Sequence, residues 1–347
     1  MKLLAIGDMF IPADVMQNGL TSLTKYGVDI TVREWKHENL EALQKDNLIV
    51  EQQGPEAVKL PDELTAGMEQ FDILIVQFAP VAQSLIAKAG KLKMIGVLRG
   101  GVENVDCDYA AGRNIAVLNN VGRNARAVAE FTVGMILAEV RNIARSHAAL
   151  QKGIWMKEFP NSGSIPELYH KNVGIVGLGH VGKLIAGYLQ AFGCNILAYD
   201  PYIKEKGLDQ IKIVSLNELL QQADIISVNA RLTEDTYHLI GAEQISLMKK
   251  TAVIVNTARS GLIDQHSLIK ALKAKQIRGA ALDVFDVEPL LTDDEILGLD
   301  NITLTSHIAG STREAFTNSP KLMAGIIEKV LLKNANLPSV NGITPVL

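Results

Sequence analysis

Only two cysteines, Cys107 and Cys194, occur in 347 residues, far apart and without metal-ligand spacing. That scarcity excludes a disulfide framework or a cysteine-built metal site, and it fits a reducing, cytoplasmic compartment. Cys194 precedes an apolar run and reads as a small buried hydrophobe. Uninterrupted apolar stretches of about 18 residues, the length a membrane-spanning helix needs, are also missing. The N-terminus, Met1-Lys2-Leu3-Leu4-Ala5-Ile6-Gly7-Asp8, meets an acid too early for a signal peptide and reads as a first strand. Positive charge is not in excess. The formal net charge of −4 gives bulk electrostatics no case for nucleic acid or an anionic membrane. Short repeats and low-complexity segments are lacking. What is present, 48% hydrophobic and 21% charged, suits a globular enzyme of about two domains.

From the first residue, short apolar runs alternate with helical patterns. Strands are predicted over 3–6, 28–35, 71–76, 93–98 and 115–118, with helices over 13–25, 37–53 and 82–89. Residues 124–150 read as one long helix, apolar on most faces and therefore buried between domains or subunits. After a loop over 155–169, a second series follows. Its strands are expected at 172–176, 196–199, 224–228, 252–256, 279–283 and 302–305. Its helices are expected at 216–221, 242–248 and 265–275, with a final one over 313–333 before an irregular tail. Strands separated by helices imply α/β architecture with two doubly wound parallel sheets, which take ligands at the carboxyl ends of their strands.

One stretch organises the second series. Asn172-Val173-Gly174-Ile175-Val176 is a buried strand, and Gly177-Leu178-Gly179-His180-Val181-Gly182 follows at G-x-G-x-x-G spacing. A helix comes next, then a second strand closed by Asp200. Gly177 permits a tight turn, Gly179 lets backbone approach a pyrophosphate, and Gly182 lets the helix pack on the strand. Asp200 is placed to accept hydrogen bonds from ribose hydroxyls. The bland alternative is a glycine-rich turn with no ligand.

Three clusters follow later strands: Arg259 in Asn256-Thr257-Ala258-Arg259, Glu288 in Asp283-Val284-Phe285-Asp286-Val287-Glu288-Pro289, and His307 in Ser306-His307-Ile308-Ala309-Gly310. Singly, each has an ordinary reading: a solvated arginine, a turn residue, a structural histidine. Together they supply a cation for a carboxylate, a proton donor and a carboxylate that tunes the donor, a set suited to hydride transfer to a 2-keto acid. No metal site is expected.

These four motifs, in this order, resemble the D-isomer-specific 2-hydroxyacid dehydrogenase family over roughly residues 70–320. Asn104-Val105-Asp106 and Ala127-Val128-Ala129-Glu130 are similar to its phosphoglycerate dehydrogenase branch. The resemblance implies a flavodoxin-like substrate domain of residues 1–121 and 312–347, with a Rossmann NAD-binding domain of residues 122–311 inserted in it. It implies a homodimer joined near the helix that starts at Asn124.

Residue roles follow from the same resemblance. Arg259 would hold the substrate carboxylate, with Phe78 and the backbone of Gly100, Gly101 and Val102 as further substrate contacts. His307 would be the general acid–base at the 2-oxygen, charged and oriented by Glu288. NAD would be held by Gly177, Gly179, His180, Val181, Gly182 and Asp200, and by Asn229, Thr236, Thr257, Ala258, Asp283 and Gly310, with Asp283 at the nicotinamide end. The substrate implied is a small anionic 2-hydroxy or 2-keto acid. The leading expectation is 3-phosphoglycerate/phosphohydroxypyruvate, which needs a further cation from Arg99, Arg123, Arg126 or Arg231. A glyoxylate/hydroxypyruvate-type reductase is the alternative. An NAD-sensing corepressor of the C-terminal-binding type shares the fold and the triad. Formate dehydrogenase is set aside because it has glutamine where this chain has Glu288. There are departures from the family pattern. Asn229-Ala230-Arg231 stands where His-x-Pro is common, Ser260 replaces a common glycine, and Ser306 replaces a common proline. No appended regulatory domain is expected in the 14 residues after Lys333.

Overall fold

The computed structural model describes residues 1–203, 210–333 and 337–347. The chain divides into two compact units, residues 1–123 with 312–347, and residues 124–311. In sequence the second unit is an insertion in the first.

The first unit is built on β1 (Lys2–Gly7), β2 (Asp29–Glu34), β3 (Ile73–Val76), β4 (Met94–Val97) and β5 (Ala116–Asn119). All pair in parallel in the order β2-β1-β3-β4-β5. Every residue of β3 and β4 is buried, as expected where helices cover both faces of a parallel sheet. One face sets Leu4, Ile6, Leu74 and Val76 against Leu43, Leu85 and Ile86 of covering helices. The other sets Leu3, Ala5, Ile73 and Ile75 against Met16, Leu20, Met323 and Ile327. The last two come from the C-terminal helix Ser319–Leu331, so the end of the chain completes the first sheet. That helix comes close: a Cβ on Gly96 would lie 2.9 Å from Met323 Sδ. The tail then covers the β5 edge, where Asn341 Oδ1 accepts the Val117 N–H at 3.1 Å and Asn341 Nδ2 donates to Ile115 O at 2.8 Å.

The second unit carries β6 (Asn172–Val176), β7 (Asn195–Tyr199), β8 (Ile211–Ile213), β9 (Ile225–Val228), β10 (Val253–Asn256), β11 (Gly279–Leu282) and β12 (Ile302–Leu304). The order is β12-β11-β10-β9-β6-β7-β8, all parallel. Strand order reverses between β6 and β9, and a crevice at such a switch point is where α/β sheets bind ligands. The helix Ala125–Val140 lays Ala129, Met135 and Ile136 on Val173, Ile175, Val253 and Val255. Among the described residues, no helix is long and apolar enough to cross a membrane.

Several elements differ from the sequence reading. The single helix over 124–150 is two, Ala125–Val140 and Ile143–Gln151. Asn142 adopts φ +57 between them, a left-handed conformation that ends the helix. Arg145 bridges the break, donating to both carboxylate oxygens of Glu139 at 2.8 Å and to Asn142 Oδ1 at 3.1 Å. The final helix is also two, Arg313–Thr317 and Ser319–Leu331. Pro320 sits in the first turn of the second, where its missing N–H costs no intrahelical bond. The first helix ends at Leu20 and tightens into a 3₁₀ segment, Thr21–Tyr26, before Gly27 at φ +74. The helix Cys107–Gly112 and strand β8 were not expected; both are too short for periodicity to reveal. Residues 334–336 of the irregular tail lie outside the described residues.

Candidate active site

Because the seven strands of the second unit are parallel, the segments after them open on one edge of the sheet. The glycine turn follows β6, Asp200 follows β7, Asn229-Ala230-Arg231 follows β9, and Thr257-Ala258-Arg259 follows β10. Asp283 to Glu288 follows β11, and Thr305-Ser306-His307 follows β12. The structure thus gathers on this edge every site residue read from this half of the sequence, save Thr236 and Gly310 in adjoining loops.

The three glycines are needed for different reasons. Gly177 has φ +92, and a Cβ there would lie 2.6 Å from Ala230 N. A Cβ on Gly182 would collide with Gly177 O, so the helix His180–Ala191 could not pack on β6. Gly179, exposed at the N-cap of that helix, is different: a Cβ there meets nothing within 4 Å. Packing requires the first two, while the chain itself makes no demand for the third. A ligand approaching the backbone would supply the demand, at a helix N-terminus with His180 and Val181 in its first turn, where an anion is favoured. Asp200 borders the same turn. Its Oδ2 accepts the Leu178 N–H at 2.9 Å and its Oδ1 the Tyr202 N–H at 3.0 Å. A carboxylate has about four acceptor positions, so room remains for ribose hydroxyls. These residues fit a dinucleotide.

His307 and Glu288 meet directly, with His307 Nδ1 2.7 Å from Glu288 Oε2. The other oxygen, Oε1, accepts the Phe285 N–H at 2.9 Å, which fixes the carboxylate. With Nδ1 engaged, Nε2 is the ring atom left for a substrate. His307 adopts φ +54, and its side chain is 48% exposed, open to an incoming molecule. Asp283 explains how that conformation is held. It is fully buried; Oδ1 accepts the Thr305 hydroxyl at 2.6 Å and the Ile308 N–H at 3.0 Å, and Oδ2 the Ala309 N–H at 2.9 Å. Its carboxylate pins the loop that carries His307.

Arg259 is exposed, and its guanidinium donates to Ala258 O at 2.8 Å. Asn256 shapes its turn, with Oδ1 accepting the Ala258 N–H at 3.0 Å and Nδ2 donating to Arg259 O at 2.8 Å. Thr257 is buried, its hydroxyl 2.7 Å from that of Thr132. The Asn229 backbone N–H donates to Val176 O at 2.7 Å, which ties its loop to β6 beside the glycine turn. Thr236 donates its hydroxyl to Arg231 O at 2.7 Å. Gly310 packs on Asn124, whose amide a Cβ would strike. Asn256, Thr132 and Thr305 were not singled out from sequence. An asparagine ending a strand before a turn was the available signal for the first; the two threonines gave none.

In the first unit, Phe78 and Gly100 to Val102 follow β3 and β4 at that sheet's carboxyl edge. Phe78 packs edge-on to Phe10, ring centroids 5.8 Å apart, and the Arg99 guanidinium lies 5.6 Å over its ring. Arg99 is committed to ion pairs with Glu51 and Glu103. Arg123 lies 4.9 Å over the Phe316 ring, and desolvation with the nearby Arg99 charge lowers its pKa to about 10, which leaves it charged. Among the described residues, no group of three His, Cys, Asp or Glu is placed to hold a metal ion.

Comparison with known proteins gives a consistent answer. Residues 133–309 match the family described as D-isomer specific 2-hydroxyacid dehydrogenase, NAD binding domain. The chain is 42% identical over 275 residues to a D-3-phosphoglycerate dehydrogenase of Methanocaldococcus jannaschii, covering 78% of this chain and 52% of that one. It is 40% identical over 258 residues to a hydroxypyruvate reductase of Thermotoga maritima, covering 73% of this chain and 83% of that one. This chain spans about half the length of the phosphoglycerate dehydrogenases it matches. Among solved structures, a D-2-hydroxyisocaproate dehydrogenase aligns with TM-score 0.75 and 26% identity, covering 99% of this chain and 100% of that one.

Proposed function

The chain belongs to the D-isomer-specific 2-hydroxyacid dehydrogenase family, and from that premise we propose that it interconverts a small D-2-hydroxy acid and its 2-keto acid with NAD. The observation that carries this is the 2.7 Å contact of His307 with Glu288 on the sheet edge that also bears Arg259 and the glycine turn. NAD, when bound, supplies or accepts the hydride. The protein's residues do the rest. Arg259 holds the substrate carboxylate through its planar fork. His307 Nε2 gives a proton to the 2-oxygen during reduction and takes it back during oxidation. Glu288 holds the imidazole by Nδ1 so that Nε2 faces outward. Gly177, Gly179, His180, Val181 and Gly182 receive the pyrophosphate, and Asp200 receives a ribose. Thr257, Ala258, Asn229, Thr236 and Gly310 line the rest of the cofactor's path, with Asp283 beside them holding the His307 loop. In the first unit, Phe78 and Gly100 to Val102 are the proposed substrate contacts.

The substrate we propose is phosphohydroxypyruvate, with 3-phosphoglycerate in the reverse direction. The Asn104 and Ala127 clusters support it, as do relatives named D-3-phosphoglycerate dehydrogenase. A reductase of hydroxypyruvate or glyoxylate is the second reading, favoured by relatives of those names that this chain covers at 83% and 81% of their length. A homodimer in the cytoplasm completes the proposal. Its support is the apolar surface of the second unit around Ile143, Leu150, Ile154 and Trp155, the last 78% exposed, which a second copy would cover. A panel of 2-keto acids assayed with NADH tests the reading. Turnover of phosphohydroxypyruvate well above glyoxylate and hydroxypyruvate is expected, and no turnover of any keto acid would sink it.

A further inference from the structure

Strands β9 and β10 pair with Val228 opposite Asn256. Three residues further along each segment stand Arg231 and Arg259. The two segments remain joined beyond the strands. The His238 N–H donates to Gly261 O at 2.7 Å and the Ile240 N–H to Leu262 O at 3.0 Å. A Cβ on Gly261 would lie 3.2 Å from Leu232 Cδ2, so the residue after Arg231 packs on the turn after Arg259. The Arg231 carbonyl is itself held by the Thr236 hydroxyl, which in turn accepts the Thr233 N–H at 2.7 Å. Both arginine side chains are exposed, and neither makes an ion pair among the described residues.

Two guanidinium groups on adjoining loops, without a counter-ion among the described residues, make a site for a ligand with more than one negative charge. The other candidate cations differ in place or in partners. Arg99 is neutralised by Glu51 and Glu103. Arg123 belongs to the first unit, where it donates to Gln77 Oε1 at 3.3 Å and Ser319 Oγ at 3.4 Å. Arg126 stands on a helix and donates to the Tyr188 hydroxyl at 3.4 Å.

We propose that Arg231 is a specificity residue that binds the second anionic group of the substrate, a phosphate or a second carboxylate, beside the carboxylate held by Arg259. The proposal rests on the dehydrogenase reading above. It selects 2-keto acids with two anionic groups over those with one.

The test compares kcat/KM for phosphohydroxypyruvate, 2-oxoglutarate and hydroxypyruvate in wild type, Arg231→Gln and Arg231→Lys, alongside NADH binding followed by fluorescence. Wild type should prefer a doubly anionic acid. In Arg231→Gln that preference should fall by about 10–100-fold, the range for losing a charge-assisted hydrogen bond. Arg231→Lys should restore part of it, and NADH affinity should hold. A fall confined to phosphohydroxypyruvate identifies a phosphate as the second group, and one confined to 2-oxoglutarate identifies a carboxylate. Equal loss for all acids, weakened NADH binding alone, or a wild-type preference for hydroxypyruvate overturns the inference and leaves the dehydrogenase reading standing. Absence of turnover with every acid overturns both.

Discussion

His307 Nδ1 rests 2.7 Å from Glu288 Oε2, while Glu288 Oε1 is tied to the Phe285 N–H. One carboxylate therefore joins the loop after β11 to the loop after β12 and leaves a single imidazole nitrogen for chemistry. We predict that His307→Ala loses about 10²–10⁴-fold in kcat, the usual worth of general acid–base catalysis, while NADH still binds. Glu288→Gln keeps an acceptor for Phe285 but loses the charge beside the imidazole. Its loss should fall on kcat, with KM for the keto acid little changed. Steady-state kinetics with NADH titration checks both, and a His307→Ala enzyme with normal kcat would remove the histidine from the reaction.

The glycines allow binding and folding to be separated. A Cβ at Gly182 strikes the Gly177 carbonyl, whereas one at Gly179 meets nothing within 4 Å among the described residues. Gly182→Ala should cost about 1–3 kcal/mol of stability, the range for overpacking. Gly179→Ala should leave the unfolding temperature close to wild type and weaken NADH binding. Equal thermal stability in the two variants, or unchanged NADH affinity in Gly179→Ala, would contradict this division.

Much of this edge was legible beforehand because its signals are local. Gly177 to Gly182 sit between a buried strand and a helix, and Arg259, Glu288 and His307 each follow a strong apolar run. The less legible parts depend on contacts between residues distant in sequence. Asn142 breaks a helix that its neighbours' propensities would continue, and Arg145 reaching Glu139 stabilises the break. Asp283 has both carboxylate oxygens committed to the His307 loop, which its position after β11 does not reveal. The family resemblance already placed residues 312–347 with the first domain; that their helix packs on β4 follows from Gly96 and Met323 meeting, which no periodicity reports. Strand β8 has only three residues, too few for alternation to register.

Arg259 tests geometry apart from charge. Lysine keeps the charge but lacks the planar pair of donors that matches a carboxylate. Arg259→Lys should lose about 1–3 kcal/mol of transition-state binding, seen in kcat/KM for the keto acid. Its melting temperature should not move, because the side chain is exposed and, among the described residues, bonded only to the Ala258 carbonyl. Unchanged kcat/KM would exclude Arg259 from the site.

Asp8 should make stability pH-dependent. It is 2% exposed, and burial raises its pKa from 3.8 to about 6, against the opposing hydrogen bonds from Ile11 and Phe10 and the Arg123 charge. The folded pKa exceeds the unfolded one, so the folded state binds more protons between them. Its contribution is complete below about pH 4 and is lost as pH rises through about 6, roughly 3 kcal/mol in all. Asp8→Asn keeps an oxygen to accept from Phe10 and Ile11 and cannot ionise. Relative to wild type, it should gain stability between pH 4.5 and 7.5 in urea titrations. Parallel stability–pH curves for the two proteins would refute the assignment.

The nucleotide preference should be set by Asp200. A carboxylate at the end of β7 would accept the ribose hydroxyls of NAD but would face the 2′-phosphate of NADP with like charge. Its position is not free to adjust: Oδ2 is bonded to the Leu178 N–H and Oδ1 to the Tyr202 N–H. Swinging away to admit a phosphate would break a contact inside the glycine turn. Repulsion and rigidity therefore act in the same direction, and NADH should be preferred over NADPH. Asp200→Asn keeps the amide oxygen as an acceptor and removes the charge, so it should narrow the preference mainly by improving NADPH. About tenfold corresponds to ~1.4 kcal/mol, a modest value for one like-charge contact partly screened by solvent. The measurement is kcat/KM for both nucleotides with one keto acid at fixed ionic strength, repeated at higher salt. Added salt should shrink the wild-type preference and leave that of Asp200→Asn nearly constant. A preference equally insensitive to salt in both proteins would mean that shape, not the Asp200 charge, excludes the phosphate.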